Sequence, residues 1–339
     1  MMMKTTAVAP GKIILFGEHA VVYGQPAIAI PVSQVAATAV VETAEHERVL
    51  LSAPDLGEDY WLDQVPADHP LGAALWALWG ALPADTPPPS HMHITVTSTI
   101  PIASGLGSGA AIAAALIRAV ANHIGRADLA EPAEVSRLTY EVERIHHGTP
   151  SGIDNTVVSY QKPVYFVRDL AKLEPDVEAT LREGGRVQLY PPVLDTIVVG
   201  RPYHFLIGDT GVQAPTKEAV GDIRRAWLAN PQVDVYFDGL GQIAERAHSV
   251  LHDGDTKTLG QLMSVNHTGL QELGLSSPEL DRLVDAAMSA GALGAKLSGG
   301  GRGGNMIALV TKQNKRAVTD ALYKAGAKSV FETVLPPSS

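Results

Sequence analysis

The chain has 339 residues, about twice the length of a typical domain, so we expect two lobes. Hydrophobic residues make up 45% and charged residues 18%, which is typical of folded cores and argues against disorder. The formal net charge of -10 argues against nucleic acid or an anionic membrane as a partner, and the absence of cysteine excludes disulfides and thiolate sites. No continuous apolar core typical of a secretory signal or a membrane span is found, so we expect a soluble, cytoplasmic protein.

The first part of the chain changes from strand patterns to helix patterns. Residues 27–43 and the alternating segment 92–99 predict strands. A long Ala-rich helix is expected from Gly109 to about 124, and a second from Pro132 to about 146, with proline in its first turn.

The second part of the chain is mostly helical. Residues 190–207 have strand-like composition, and helical periods dominate residues 215–291. The chain ends on a predicted strand, helix and strand at residues 306–311, 313–325 and 329–334. We place the lobe boundary near residue 195, giving domains 1–195 and 196–339.

A glycine-rich loop at residues 101–111 stands between a predicted strand and the Ala-rich helix. Gly105, Gly107 and Gly109 allow a ligand to approach the backbone, and the following helix directs free N–H groups at an anion. The loop lacks the Lys-Ser/Thr ending of the Walker motif, and its spacing is not the dinucleotide fingerprint. It predicts a phosphate cradle, and the alternative is a plain strand-to-helix turn.

A second glycine cluster occupies residues 296–305. Five of the six residues from Gly299 to Gly304 are glycine, which is costly in backbone entropy for a plain loop. The cluster therefore predicts a close backbone contact, either with a ligand or in a packing seam.

Charged residues flank an apolar run near the start of the chain. Lys12, Glu18 and His19 are expected at the two ends of a buried strand, close to a cleft. Taken singly, each could be a solvated surface residue, and His19 could be a satisfied core histidine.

Two carboxylates lie eleven residues apart in the middle of the chain. Glu143 is expected on a helix and Asp154 in a Pro/Gly turn. Such a pair suits one group that binds Mg²⁺ and one directed at a hydroxyl, although an aspartate in such a loop also serves ordinary turn chemistry.

Together, residues 10–19, 101–111 and 296–304 resemble the three motifs of the GHMP kinases, in order and over nearly the whole chain. Residues 18–24, 147–155 and 209–217 resemble the mevalonate kinases of that superfamily. The resemblance implies an α+β, two-lobed GHMP kinase fold. Its N-terminal lobe would be like ribosomal protein S5 domain 2 and its C-terminal lobe ferredoxin-like, with ATP bound between them.

The resemblance also implies ATP-dependent phosphorylation of the C5 hydroxyl of mevalonate on the route to isoprenoids, by a homodimer. Asp154 would be the general base, and Lys12 beside it would stabilise developing charge. Ser108 and Glu143 would hold Mg²⁺. The residues that would cradle the phosphates of ATP are Pro101, Ser104, Gly105, Leu106, Gly107, Ser108, Gly109 and Ala110. Those that would bind mevalonate or close its site are Glu18, His19, Thr216 and Gly300.

Two positions depart from the family pattern. Gly109 replaces a serine that is expected to reach Mg²⁺, so either Ser108, Glu143 or water substitutes for it or metal binding is altered. Arg302 interrupts the third glycine motif, where it could bind phosphate or face solvent. The open alternatives are another GHMP enzyme with a mevalonate-like substrate, such as a phosphomevalonate kinase, a mevalonate 3-kinase or a diphosphomevalonate decarboxylase, and a catalytically silent metabolite-binding protein.

Overall fold

The structure, a computed structural model, describes residues 4–101, 104–147, 150–167, 193–213, 216–230 and 232–338. These residues form two compact units. The first unit contains the described residues within 1–12, 31–102 and 106–162, and the second those within 13–30, 103–105 and 163–339. The division into domains 1–195 and 196–339 stays a prediction.

Strands and helices occur in both units, as expected of an α+β protein. The strands of the described residues are β1 (Lys4–Phe16), β2 (Ala27–Thr43), β3 (Val49–Ala53), β4 (Glu58–Trp61), β5 (Met92–Ser98), β6 (Val164–Val167), β7 (Val193–Thr196), β8 (Tyr203–Asp209), β9 (Gly294–Ser298), β10 (Asn305–Val310) and β11 (Ser329–Leu335). The helices are α1 (Pro70–Trp79), α2 (Ser108–His123), α3 (Pro132–His147), α4 (Ile153–Tyr160), α5 (Thr216–Ala229), α6 (Val233–Asp253), α7 (Thr256–Glu272), α8 (Pro278–Ser289) and α9 (Lys315–Lys324).

The first unit contains a sheet built on the second half of β2. That half pairs antiparallel with β5, β5 pairs parallel with β3, and β3 pairs antiparallel with β4. Ala37, Ala39 and Val41 alternate as buried residues along β2, which is the period-two pattern of a strand with one covered face. The strand pattern of residues 27–43 predicted β2 correctly.

The Ala-rich helix α2 forms the centre of the helical layer of the first unit. It contacts α1, α3 and α4, and most of its length is buried. Its alanines allow close approach of three neighbouring helices, because a methyl side chain keeps the interhelical distance short.

The second unit contains a four-stranded sheet with the order β11-β8-β10-β9, in which all neighbours are antiparallel. Helices α5 to α9 supply the apolar residues that pack on it, including Ile223, Phe237 and Leu283. The first residues of β2, Ala27 to Ala29, pair with β6 in this unit, and β6 pairs with β7.

The structure corrects several local predictions. Lys12 lies within β1 and not at its end, because the strand continues through Pro10 and Gly11. Asp154 lies in the first turn of α4 and not in a turn between elements. The strand-like segment 190–207 contains two strands, β7 and β8, with residues 190–192 outside the described part of the chain. None of the described helices is long and apolar enough to cross a lipid bilayer.

Candidate active site

The glycine-rich loop packs directly on the Lys12 segment of the first unit. The Lys12 amide donates to the Leu106 carbonyl oxygen over 2.9 Å. Gly107 is the N-cap of α2 and has a φ of 72°, a conformation that is unfavourable for residues other than glycine. A Cβ atom there would lie 2.8 Å from the Cγ atom of Lys12, so this close packing also requires glycine.

Helix α2 begins at Ser108 and presents an anion-binding end. Ala111 N is the first amide to bond within the helix, to the Gly107 carbonyl. The preceding N–H groups, at Ser108, Gly109 and Ala110, are therefore without intrahelical partners. Ser108 is half-buried and Gly109 is exposed, which leaves this end of the helix open to a phosphate.

Three charged residues form what we call the Lys12 cluster: Lys12, Glu143 and Asp154. The Nζ atom of Lys12 lies 2.9 Å from Oδ1 of Asp154. Glu143, on α3, is buried, and its pKa is raised to about 8, first by burial and then by the negative charge of Asp154, with Lys12 acting in the opposite direction. The three side chains are therefore electrostatically coupled.

The fold places Asp154 at a helix N-terminus. Gly152 precedes α4 as its N-cap, and Asp154 is the second residue of the helix, where the helix dipole favours a negative charge. The side chain of the next residue, Asn155, donates to Oγ of Ser136 on α3 over 2.9 Å. Helix α4 is thereby fixed to the helix that carries Glu143.

A divalent cation fits the chemistry of this cluster. Two neighbouring carboxylates, one of them buried with a raised pKa, repel each other, and a cation relieves that repulsion. A Cβ atom at Gly109 would lie 3.4 Å from Oε1 of Glu143, so the glycine loop adjoins the carboxylate. Among the described residues, no group of three or more His, Asp and Glu side chains could hold a metal alone, so phosphate and water oxygens would have to complete a metal site.

In the second unit, a buried ion pair lies next to His19. Lys296 donates through Nζ to Oε1 of Glu18, and both side chains have 0% exposure. The same Nζ donates to the Leu297 carbonyl over 2.7 Å. Ser298 adds a hydrogen bond from its Oγ to the Ile14 carbonyl, over 2.6 Å. The strand that opens the second glycine cluster is thus attached to the segment after Lys12.

The imidazole of His19 contacts the second glycine cluster. Its Nε2 lies 3.1 Å from the Gly300 carbonyl oxygen. Burial lowers the pKa of His19 to about 4, the carbonyl opposes this shift, and the charge of Arg302 adds to it. His19 is therefore neutral at pH 7. Because the carbonyl can only accept, the proton resides on Nε2, and Nδ1 is left as an acceptor.

The second glycine cluster is held by backbone contacts on several sides. The Gly304 amide donates to the Val212 carbonyl over 2.9 Å. Asn305 donates from its side chain to the Ser104 carbonyl, and Ser104 is buried. A Cβ atom at Gly301 would lie 2.1 Å from the Leu275 carbonyl oxygen, so this position has no room for a side chain.

The structure thus brings the predicted site residues into two groups. Lys12, Glu143 and Asp154 adjoin the loop residues Leu106 to Ala110, whereas Glu18 and His19 adjoin Lys296 and Gly300. Pro101 and Gly105 belong to the loop ahead of Leu106, and Thr216 is the first residue of α5. Gly148, Thr149, Ala214 and Pro215, which belong to the segments used for the resemblance, lie outside the described residues.

Sequence reasoning missed the partners of the predicted residues. Lys296 opens the third motif, but its sequence position did not indicate that Glu18, 278 residues away, is its partner. Asp222, which pairs with Arg302, lies in a helix where a carboxylate is unremarkable in sequence. A lysine within an apolar strand pattern is the signal that could have identified the first pair, because a buried lysine requires a partner.

Comparison with protein families gives two matches. The model of the GHMP kinases N terminal domain matches residues 72–162, and the model of the GHMP kinases C terminal matches residues 247–328. These ranges contain the glycine-rich loop, Glu143 and Asp154 in the first match and the second glycine cluster in the other.

Individual proteins give full-length matches. The mevalonate kinase of Thermococcus sibiricus is 33% identical, over 98% of this chain and 96% of its own length. The crystal structure of L. major mevalonate kinase in complex with R-mevalonate is 25% identical, with a TM-score of 0.78, covering 100% of this chain and 98% of that one. Streptococcus pneumoniae phosphomevalonate kinase, at 17% identity and a TM-score of 0.77 over 98% of this chain and 100% of its own, shares the fold.

Proposed function

Because the chain belongs to the GHMP kinases and, within them, to the mevalonate kinase family, we propose that it transfers the γ-phosphoryl group of ATP to the C5 hydroxyl of mevalonate. The observation that carries the proposal is the 2.9 Å contact between Lys12 Nζ and Asp154 Oδ1, next to a glycine loop that packs on Lys12. Phosphoryl transfer requires mainly positioning and charge stabilisation, and this arrangement supplies both.

Asp154 is the proposed general base. Its side chain is 31% exposed, so the carboxylate can accept the proton of the C5 hydroxyl as that oxygen attacks the γ-phosphorus. The Lys12 side chain is 5% exposed, so moving away from Asp154 would leave its buried ammonium group without a counter-charge. Its ammonium group keeps the carboxylate in place and stabilises the negative charge that develops on the attacking oxygen.

The phosphates of ATP are proposed to bind at the start of α2. The free N–H groups of Ser108, Gly109 and Ala110 supply donors, and the positive-φ glycines Gly105 and Gly107 let a phosphate approach the backbone. The preceding residues Pro101, Ser104 and Leu106 shape the loop. Mg²⁺ would be held by Glu143 and Ser108, and when bound it would neutralise phosphate charge.

The mevalonate carboxylate and hydroxyls are proposed to meet the second group of residues. The free acceptor of His19, Nδ1, can receive a hydrogen bond from a hydroxyl, while its Nε2 is engaged by Gly300. Glu18 is fully buried against Lys296, so we propose that it supports His19 through the backbone without touching substrate. Thr216 is proposed to close the site at the start of α5, and the active form to be a homodimer.

The proposal is tested by incubating the purified protein with Mg-ATP and, in separate reactions, mevalonate, phosphomevalonate or galactose. We expect ADP release with mevalonate only, and a ³¹P signal that couples to the C5 methylene protons of the product. Turnover with phosphomevalonate, or a phosphate on C3, would assign the chain a different reaction within the superfamily. ATP binding without turnover on any of the three would contradict the proposal and favour a silent binder.

A further inference from the structure

Arg302 occupies a strained position in the second glycine cluster. Its φ is 59°, in the left-handed region that L residues avoid, and it is one of four described non-glycine residues with positive φ. The neighbouring positions Gly301, Gly303 and Gly304 adopt positive φ without that cost. An arginine in this place is therefore disfavoured by the backbone, so its side chain has to offset the strain.

Three hydrogen bonds hold Arg302 in place. Its amide donates to the Leu275 carbonyl over 2.7 Å, and its Nε donates to the Gly274 carbonyl over 3.2 Å. Its Nη1 donates to Oδ2 of Asp222 on α5. The guanidinium thus joins the loop, the turn after α7 and helix α5.

The loop and the helix joined by Arg302 carry two of the proposed substrate-binding residues. Gly300, two residues before Arg302, accepts the hydrogen bond from His19. Asp222 lies six residues after Thr216, the first residue of α5. The other end of α5 is held separately, since Trp227 packs against the Tyr23 ring with a centroid distance of 4.8 Å.

We propose that Arg302 and Asp222 form a latch that positions the Gly300 backbone and the first turns of α5 for binding mevalonate, and that Arg302 is not a phosphate ligand. The inference rests on the proposed function and names a positioning role within that site. The guanidinium of Arg302 donates to the Asp222 carboxylate and to the Gly274 carbonyl, so it is held on two sides. This suits a group of fixed position better than one that must turn toward ATP.

The latch contributes to binding more than to folding. Both side chains are 38% exposed, and ion pairs with that exposure stabilise a folded protein little because solvent screens them. A merely structural role would therefore give small effects on every property. A positioning role gives an effect on one ligand while thermal stability stays nearly constant.

Steady-state kinetics on the full-length protein, with thermal melts, test the latch in Arg302→Ala, Asp222→Asn and the exchanged pair Asp222→Arg/Arg302→Asp. We expect the first two variants to raise KM for mevalonate about fivefold, with kcat and KM for ATP within about twofold. The exchanged pair is expected to recover part of the loss. High KCl should raise the wild-type KM for mevalonate and leave that of Arg302→Ala nearly unchanged.

Arg225→Ala is the matched control, because Arg225 also pairs with Asp222 but does so within α5, three residues along the helix. Its KM for mevalonate is expected to equal that of the wild type. A wild-type KM in Arg302→Ala, or a rise in KM for ATP in place of mevalonate, would overturn the latch. Absence of wild-type turnover with mevalonate would instead refute the proposed function, so the two failures are distinguishable.

Discussion

Lys12 and Asp154 form an ion pair that is asymmetric in exposure. The Nζ and Oδ1 atoms are 2.9 Å apart, but the lysine side chain is 5% exposed and the aspartate side chain 31%. The cation is therefore held inside the protein while the carboxylate keeps an open side. A hydroxyl can approach Asp154 from solvent and still lie within reach of the lysine charge, which is the arrangement that proton removal requires.

Asp154→Asn is expected to lower kcat about 10²- to 10⁴-fold, the range that general bases contribute, with a smaller effect on KM for ATP. Lys12→Met should cause a loss of similar size, because both residues act on the same proton transfer. The double variant should be little worse than either single variant, since groups that act as a unit are not additive. The measurement is kcat from ADP release.

Asp128→Asn serves as the control for these variants. Asp128 is an exposed aspartate paired with Arg126, so its loss should leave kcat unchanged. Additive losses in the double variant would show that Lys12 and Asp154 act in different steps.

Alanine substitutions at two glycines of the phosphate loop distinguish the effect of backbone strain from that of a steric clash with Lys12. Gly107 has a φ of 72° and Gly105 a φ of 76°, so alanine is comparably strained at both. At Gly107 the new Cβ would lie 2.8 Å from Lys12 Cγ, whereas at Gly105 the nearest atom is 3.9 Å away, on Asn305. We expect Gly107→Ala to lower kcat at least about tenfold by displacing Lys12, whereas Gly105→Ala, which leaves Lys12 in place, should raise KM for ATP and change kcat much less.

Thermal melts of the two alanine variants provide the check. Similar losses of stability with different kcat values would support displacement of Lys12. Equal losses of kcat would mean that strain in the loop, and not the position of the lysine, limits the reaction.

The long strand β2 and the short strands β5, β10 and β11 could be predicted from sequence, whereas the short helix α4 could not. Residues 27–43 match β2 because Val, Ile and Ala alternate and cluster along the segment, which favours a strand. Helix α4 has eight residues after a Pro/Gly segment, too few for a helical period, so Asp154 was expected in a turn. Lys12 was expected at an end of its strand, but β1 begins at Lys4 and runs through Pro10 and Gly11.

Long-range pairing was the part of the site that sequence could not provide. The resemblance to the GHMP kinases led to the prediction of Lys12, Glu143 and Asp154 as site residues, and their residue types suit the proposed chemistry. The partner of Glu18 is 278 residues away, and the Arg302 to Asp222 pair spans 80 residues. Such contacts are decided by how the sheet and helices pack, which local periodicity does not encode.

The buried pair of Glu18 and Lys296 should control folding stability. Burial lowers the pKa of Lys296, and the charge of Glu18 opposes that shift. Glu18→Gln leaves a buried ammonium without its counter-charge, so we expect the free energy of unfolding to fall by about 3–5 kcal/mol in urea titrations. The double variant Glu18→Met/Lys296→Met should be markedly more stable than Glu18→Gln. A double variant at least as unstable as Glu18→Gln would show that the loss of side-chain packing, and not the unpaired charge, causes the loss of stability.

His19 should make stability depend on pH. Its pKa is about 4 in the folded protein and about 6.5 in the unfolded chain, so the unfolded state binds more protons between these values. Stability is therefore fully present above about pH 6.5 and is lost as the pH falls toward 4. His19→Gln retains a donor for the Gly300 carbonyl but cannot titrate.

Urea titrations at about pH 7.5 and about pH 5 measure this effect. Between them, the wild type should lose about 2 kcal/mol more unfolding free energy than His19→Gln. Equal losses in the two proteins would mean that His19 is protonated in the folded state at the lower pH.

Gly109 is expected to limit metal affinity. It stands in the first turn of α2, and a Cβ atom there would lie 3.4 Å from Oε1 of Glu143, so a serine hydroxyl would adjoin the carboxylate proposed to bind Mg²⁺. Mn²⁺ serves as the probe, and Gly109→Ser should bind it about tenfold more tightly than the wild type in the presence of ADP. A tenfold change in affinity corresponds to the free energy of one good polar contact. Free Mn²⁺ is measured directly by electron paramagnetic resonance. Gly109→Ala is the matched control, because it adds the Cβ atom without the hydroxyl and should bind Mn²⁺ as the wild type does. Equal affinities of the serine and alanine variants would show that a hydroxyl at this turn does not bind the metal.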